Sequence, residues 1–89
     1  MLIAHIEIIN KLGLHARAAA KFVTTAGAFG CDIHVINDGD PVDGKSIMGV
    51  MMLAAAKGAV LEIHFDGTDE QEALHALNTL IENRFDEGE

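Results

Sequence analysis

The residues best suited to chemistry lie together where a short loop leads into an alanine-rich segment. His15 and Arg17 end the run Asn10-Lys11-Leu12-Gly13-Leu14-His15-Ala16-Arg17. Small and apolar residues predict a helix over 16–26, and no Ser, Thr, Asp or Asn between Gly13 and Ala16 is placed to cap it. We therefore expect unpaired backbone N–H groups at the helix start, which together with the helix dipole form a site for an anion.

Arg17 strengthens this interpretation. Its planar guanidinium suits phosphate oxygens, and a cation in the first turn opposes the helix dipole, so helix stability does not explain it. An imidazole beside free amides and a guanidinium predicts that His15 carries a phosphoryl group and releases it again. The alternative is that His15 is a solvated surface residue or a local cap, which is common for a histidine at a loop–helix junction.

The composition limits the class of function. A chain of 89 residues predicts one domain, 1–89, too small for a core plus an enclosed substrate cavity, so we expect the chemistry at the surface. With 6 basic and 14 acidic residues, a net charge of −8 and neither Trp nor Tyr, the chain is poorly suited to nucleic acid. This disfavours a small α+β nucleic-acid binder, and a basic patch on a partner protein fits the charge better.

The remaining composition favours a cytoplasmic protein that makes no membrane contact and needs no cofactor. The single Cys31 cannot form an intrachain disulfide, and we expect it to pack as a small core residue. His5 and Glu7 interrupt the first apolar stretch of the sequence, so this stretch does not resemble a targeting sequence. The longest weakly polar stretch, 47–56, is about half the length needed to cross a bilayer.

The periodicity of apolar residues predicts seven elements in the order β-α-β-β-α-β-α. Alternation indicates strands at 2–9, around 33–35 and at 60–65, and Pro41 places a short strand at 41–43 on a sheet edge. Helices are predicted over 16–26, 44–53 and 68–85. This order implies an α+β fold in which an antiparallel sheet carries its helices on one face, an open-faced β-sandwich.

Side-chain patterns predict which helix faces are buried. For the first helix these residues are Ala19, Ala20, Val23 and Ala26. Thr68 and Gln71 are expected to form a capping box at the start of the last helix. That helix is expected to bury Leu74, Leu77, Leu80, Ile81 and Phe85, and the acidic segment 86–89 is expected to fray.

Two motifs carry a resemblance to a known family. The first motif is Gly13-Leu14-His15-Ala16-Arg17, followed by Ala19-Ala20-Lys21-Phe22-Val23. It resembles the active-site segment of HPr, the phosphocarrier family of the bacterial phosphoenolpyruvate:sugar phosphotransferase system. The second motif, which resembles another HPr segment, is Gly44-Lys45-Ser46-Ile47-Met48-Gly49-Val50-Met51. The resemblance covers nearly all 89 residues. Ala18 stands where the family usually has proline; alanine is a good helix former, so the helix start should survive.

The resemblance implies a fold and an activity. The fold is four antiparallel strands in the order 1-4-2-3 with three helices. The activity is phosphoryl transfer within sugar transport: phosphorylated enzyme I, charged by phosphoenolpyruvate, would donate to Nδ1 of His15, and an EIIA-type domain would accept. Arg17 would steady the phosphoryl oxygens. Such a protein is a phosphohistidine carrier rather than a stand-alone enzyme.

The second motif has two interpretations that are compatible. Ser46 fits an ordinary N-cap, and the resemblance also implies regulatory phosphorylation there by an HPr kinase/phosphorylase. A phosphate would add about −1.5 to −2 charge and repel acidic parts of a partner surface. Ile47, Met48 and Met51 are expected to dock partners, whereas Val50 and Leu53 are expected to lie in the core.

Further alternatives remain open. A regulatory HPr paralogue of a nitrogen-related branch would share the fold and act mainly by protein binding. His5, His34 and His64 share the outward parity of their strands and could bind zinc with Glu7 or Glu62, but a solvated sheet face is the more common arrangement and we expect no metal site. The chain is expected to be a monomer.

Overall fold

The computed structural model describes residues 1–87, which form a four-stranded antiparallel sheet with its helices on one face. The strands are β1 (Leu2–Glu7), β2 (Asp32–Ile36), β3 (Val42–Asp43) and β4 (Val60–Asp66), in the order β1-β4-β2-β3. The helices are α1 (Ala16–Gly27), α2 (Ile47–Met52) and α3 (Glu70–Glu82), and a short 3-10 helix follows at Arg84–Asp86. The predicted open-faced sandwich and its strand order are confirmed. Within the described residues, no helix is long and apolar enough to span a membrane.

The sheet alternates as its sequence predicts. Leu61, Ile63 and Phe65 on β4 are fully buried under the helices. The neighbouring strands present histidines and acidic residues on the open face, where His5 lies opposite Glu62 and His34 lies opposite His64. In residues 1–87 no three or more His, Cys, Asp or Glu side chains are grouped so that they could hold a metal ion.

The buried face of α1 differs from the prediction. Ala18, Ala19, Phe22 and Ala26 are fully buried. Ala20 is exposed, so its assignment was wrong, whereas Val23 is half-buried and packs against the core. The reason is the size of Phe22: burying an aromatic ring contributes far more than burying a methyl group, and the helix is rotated to place that ring in the core.

The start of α3 also differs from the prediction. The helix begins at Glu70, one residue after Asp69, and the capping box between Thr68 and Gln71 is absent. Asp69 instead joins two elements, because its carboxylate accepts hydrogen bonds from the backbone N–H groups of Gly30 at 2.8 Å and Cys31 at 2.9 Å. The Gly30 hydrogen bond is the main reason that the pKa of Asp69 lies below its usual value.

The chain after α3 is ordered where fraying was expected. The predicted helix over 68–85 stops at Glu82, and the short 3-10 segment at Arg84–Asp86 is a left-handed turn, with φ values of 54°, 53° and 62°. This turn directs Phe85 into the core, where it is fully buried, and Lys21 Nζ donates to the Phe85 carbonyl oxygen at 2.8 Å. The fraying prediction is therefore wrong for Asp86 and Glu87, while Gly88 and Glu89 lie outside the described residues.

Candidate functional site

His15 is the N-cap residue of α1. Its backbone is extended, with φ −74° and ψ 178°, and its carbonyl oxygen accepts the first helical hydrogen bond from the N–H of Ala19 at 2.8 Å. No side chain caps this helix start, as the sequence predicts. The amides of the first turn and the positive end of the dipole therefore face the space around the imidazole.

A surface cleft of about 620 Å³ lies beside His15. Basic residues contribute much of its wall, and the complete lining is Lys11, Leu12, His15, Ala16, Arg17, Lys21, Asp86 and Glu87. Arg17 is exposed and shares this lining with His15, so the structure brings the two predicted site residues together. The cleft is open to a partner surface and is not an enclosed substrate cavity, consistent with chemistry at the surface.

Glu87 completes the site from the far end of the described chain. Its Oε2 contacts Nε2 of His15, and its Oε1 accepts a hydrogen bond from Asn10 Nδ2 at 3.0 Å. The side chains of His15 and Glu87 retain 28% and 13% of their exposure. Burial alone would raise the pKa of Glu87, but the hydrogen bonds from His15 and Asn10 and the nearby positive charges hold it below its usual value.

The contact with Glu87 determines which ring nitrogen is available. An ionised carboxylate can only accept hydrogen bonds, so Nε2 of His15 must carry the proton. In the neutral imidazole this leaves the lone pair on Nδ1. The arrangement therefore presents Nδ1 of His15 as a nucleophile and leaves a carboxylate behind the ring to stabilise positive charge.

The loop that carries His15 is held against the segment after α2. Gly13 has φ +65°, and a Cβ built at this position would lie 2.5 Å from the carbonyl oxygen of Ala55, so only glycine fits. The N–H of Leu14 donates to the same Ala55 oxygen at 2.9 Å. These contacts fix the approach of the loop to α1 and place it next to the end of α2.

Ser46 begins α2 as its N-cap. Its Oγ accepts a hydrogen bond from the N–H of Gly49 at 3.2 Å, which is the ordinary capping contact predicted from the sequence. Ser46 is half-buried. The preceding Lys45 is tied to the neighbouring chain, since its Nζ donates to the carbonyl oxygen of Phe29 at 2.7 Å.

One side of α2 is apolar and exposed. Ile47, Met48 and Met51, which the sequence assigns to docking, are 41%, 70% and 42% exposed. Val50 is fully buried and Leu53 packs against the core, as predicted. Two further large apolar side chains that the sequence interpretation left out of the docking surface, Leu12 and Met52, are also exposed.

Sequence reasoning missed two residues of the site. Asn10 was part of the motif but received no role, and Glu87 was placed in a fraying segment. The separation of 72 residues between His15 and Glu87 leaves no periodic or spacing signal for this contact. The signal that could have helped is Phe85, because burying a large aromatic residue requires the chain after α3 to return to the core.

The chain is similar to known proteins over nearly its whole length. Residues 3–83 match the family described as PTS HPr component phosphorylation site. The phosphocarrier protein HPr of Pseudomonas aeruginosa is 65% identical over 85 residues, which is 94% of each chain. The structure of HPr-C-His from Thermoanaerobacter tengcongensis is similar with a TM-score of 0.94 and 49% identity, covering 98% of both chains. An HPr dimer from the same organism has a TM-score of 0.76 and 49% identity, covering 96% of this chain and 98% of that one.

Proposed function

The chain belongs to the HPr family of the bacterial phosphoenolpyruvate:sugar phosphotransferase system, and on that basis we propose that its His15 carries the phosphoryl group. The donor is phosphorylated enzyme I, charged by phosphoenolpyruvate, and the acceptor is an EIIA-type domain. The observation that carries the proposal is the contact of Glu87 with Nε2 of His15, which leaves Nδ1 as the attacking atom. We place this exchange in the cytoplasm, where the free thiol of Cys31 would stay reduced.

Each transfer is a balanced displacement at phosphorus. The Nδ1 lone pair forms a bond to phosphorus as the bond to the donor's leaving atom breaks, and the proton on Nε2 stays in place. The phosphorylated ring is then positively charged, and the Glu87 carboxylate stabilises that charge. A cationic imidazole ring is also a good leaving group. The contact between Glu87 and His15 is therefore compatible with the onward transfer of the phosphoryl group to the acceptor.

Charge on the moving phosphoryl group is stabilised by two groups at the start of α1. Arg17 lines the cleft beside His15, and its guanidinium can bind two phosphoryl oxygens at once. The uncapped amides of the first turn supply further donors. Catalysis of this kind is mainly positioning and electrostatics, which suits a small protein whose reaction partner supplies the rest of the site.

Labelling with radioactive phosphoenolpyruvate tests the assignment. The chain is incubated with enzyme I, and acid-labile phosphate on the carrier is measured for the wild type, His15→Ala and His75→Ala. His75 is an exposed histidine on α3, so its loss controls for removal of an imidazole. We expect labelling of the wild type and His75→Ala and none of His15→Ala. Labelled His15→Ala protein, or an unlabelled wild type, would refute the proposal.

Partners are proposed to dock on the exposed side of α2. Ile47, Met48 and Met51 form an apolar surface, and the adjoining loop carries His15. Methionine side chains adapt to different shapes, which suits a carrier that must bind enzyme I and its acceptor in turn. We propose that the carrier acts as a monomer, because the same surface must be free for each partner; sedimentation of the phosphorylated and unphosphorylated chain tests this.

Ser46 is proposed as a regulatory phosphorylation site for an HPr kinase/phosphorylase. Phosphate at this N-cap would be tolerated by the helix start, yet it would place about −1.5 to −2 charge beside the docking residues. The test is incubation with the cognate kinase and ATP, followed by mass spectrometry of the wild type and Ser46→Ala. Modification that persists in Ser46→Ala would exclude this site.

The acceptor branch is tested separately. Phosphorylated carrier is mixed with a sugar-specific EIIA domain or with a nitrogen-branch EIIA domain, and the loss of phosphate from His15 is followed in time. The proposal expects faster transfer to the sugar-specific domain. Faster transfer to the nitrogen-branch domain would reassign the chain to the regulatory branch while leaving the role of His15 unchanged.

A further inference from the structure

Asn10 is a fully buried polar side chain directly behind the candidate site. It is the only polar or charged residue among the buried side chains of the described chain. A buried amide is favourable only where it makes hydrogen bonds, so its partners indicate what it does. Those partners are the loop in front of His15 and the Glu87 carboxylate.

Both hydrogens of the Asn10 amide group are used. Nδ2 donates to the Gly13 carbonyl oxygen at 2.8 Å and to Glu87 Oε1 at 3.0 Å. The other Glu87 oxygen contacts Nε2 of His15. One amide group therefore links the backbone of the loop that leads to His15 with the carboxylate that holds its ring.

The orientation of the Asn10 amide follows from its two acceptors. Rotating the group by half a turn would direct Oδ1 at a carbonyl oxygen and a carboxylate oxygen and would lose both hydrogen bonds. In the observed orientation Oδ1 is buried without a hydrogen-bond partner in residues 1–87. A buried acceptor without a hydrogen bond destabilises the folded state, so folding alone does not explain it. Such destabilising features are concentrated at functional sites.

We infer that Asn10 is a positioning residue for the reaction: it holds the Glu87 carboxylate against Nε2 of His15 and so keeps Nδ1 as the attacking nitrogen. The inference rests on the proposed function of His15 as phosphoryl carrier. Asn10 acts through Glu87. The Gly13 hydrogen bond fixes the amide relative to the loop, and the loop itself is fixed by the close approach of Gly13 to Ala55.

The direct test is the tautomer of His15 in the unphosphorylated protein. Nitrogen-15 NMR of ring-labelled histidine distinguishes Nε2–H from Nδ1–H, and it needs neither enzyme I nor phosphoenolpyruvate. The wild type is expected to show the Nε2–H form. Asn10→Ala and Glu87→Gln are each expected to shift His15 toward the Nδ1–H form, and the double variant should shift it no further than the larger single shift.

Asn37→Ala is the matched control. Asn37 also donates from Nδ2 to a backbone carbonyl oxygen, that of Leu53 at 3.0 Å, but it lies outside the His15 cleft. The rate of phosphoryl uptake from enzyme I is expected to fall about ten-fold in Asn10→Ala, the size typical of losing a residue that orients a reactive group, and to stay unchanged in Asn37→Ala. Asn10→Ser replaces Asn10→Ala if circular dichroism shows the alanine variant unfolded, because a hydroxyl can serve only one of the two acceptors.

The outcomes separate the two proposals. Suppose that a folded Asn10 variant has the same His15 tautomer and the same uptake rate as Asn37→Ala. That result would overturn the role of Asn10, whether or not the wild type takes up phosphate. A wild type with the Nε2–H tautomer that takes up no phosphate from enzyme I would instead refute the proposed function. A tautomer shift together with slower uptake supports the inference.

Discussion

The carboxylate of Glu87 lies against Nε2 of His15, although 72 residues separate them in the sequence. The contact joins the first turn of α1 to the chain that follows α3. The contact is present without a phosphoryl group, so under the proposed function the charge that would stabilise a phosphorylated ring is already in place. The candidate site is therefore a product of the tertiary fold and extends beyond the His15 motif.

Glu87→Gln is expected to slow phosphoryl transfer at His15 about ten-fold. The amide keeps the shape of the side chain but removes the negative charge that favours a cationic phosphohistidine ring. Rapid-quench labelling from enzyme I measures the rate. Glu72→Gln is the control, because Glu72 is an exposed carboxylate on α3 outside the His15 cleft, and equal rates for the two variants would contradict the role of the Glu87 charge.

The same substitution has a predicted signature in the pH dependence of stability. The usual pKa of Glu87 is 4.5 and the folded value is lower, so ionised Glu87 stabilises the fold at pH values above 4.5, and this contribution is lost as the pH falls through the folded pKa. Urea unfolding between about pH 3 and pH 6 should show the wild type losing its advantage over Glu87→Gln toward the acid end. If the free energy of unfolding depends on pH in the same way in both proteins, the Glu87 carboxylate is not stabilised by its partners.

Arg17→Ala is expected to slow transfer by at least about ten-fold and to leave the free energy of unfolding within about 0.5 kcal/mol of the wild type. Arg17 is exposed, and a cation in the first turn opposes the helix dipole, so its loss removes little folding energy. Labelling kinetics and urea unfolding measure the two effects. The exposed Lys57 supplies a control variant, Lys57→Ala, and a large loss of stability in Arg17→Ala would assign Arg17 a structural role instead.

Met48→Asp is expected to weaken binding to enzyme I about ten-fold without unfolding the chain. Met48 is 70% exposed on α2, and a carboxylate there would have to lose water on docking. Isothermal titration calorimetry measures the binding. Val60→Asp introduces the same charge at a 54% exposed residue on the open sheet face and should bind normally; similar weakening in both variants would argue for a general charge effect.

Ala54→Gly is expected to stabilise the protein by about 0.5–1 kcal/mol. Ala54 follows α2 with φ 50°, the left-handed conformation in which helices commonly end with glycine. Urea unfolding measures the change. Ala28→Gly is the control, since Ala28 follows α1 with an ordinary φ of −74°, and glycine there should give no gain.

Local patterns were enough to predict most of the fold. Period-two alternation predicted the strand at 60–65, whose Leu61, Ile63 and Phe65 are fully buried, and the missing cap before α1 marked His15 as unusual. Both properties depend on a few neighbouring residues. The strand order 1-4-2-3 came from the family resemblance, because alternation alone does not determine which strands pair.

The errors arose where tertiary contacts override local preference. Asp69 was not recognised as the group that joins Gly30 and Cys31 to the start of α3, because these partners are 39 and 38 residues away. The left-handed turn at 84–86 has no glycine to signal it, and it is stabilised instead by the burial of Phe85 and the hydrogen bond from Lys21. Without that turn, neither Glu87 nor Asn10 could be assigned to the site.

The long sequence separation between His15 and Glu87 also orders events during synthesis. At about 5–20 residues per second, Glu87 is added roughly 4 to 14 s after His15. A nascent chain on the ribosome therefore displays the histidine without its carboxylate partner. Under the proposed function, we expect an unfinished chain that lacks residue 87 to accept phosphate more slowly than the mature protein does.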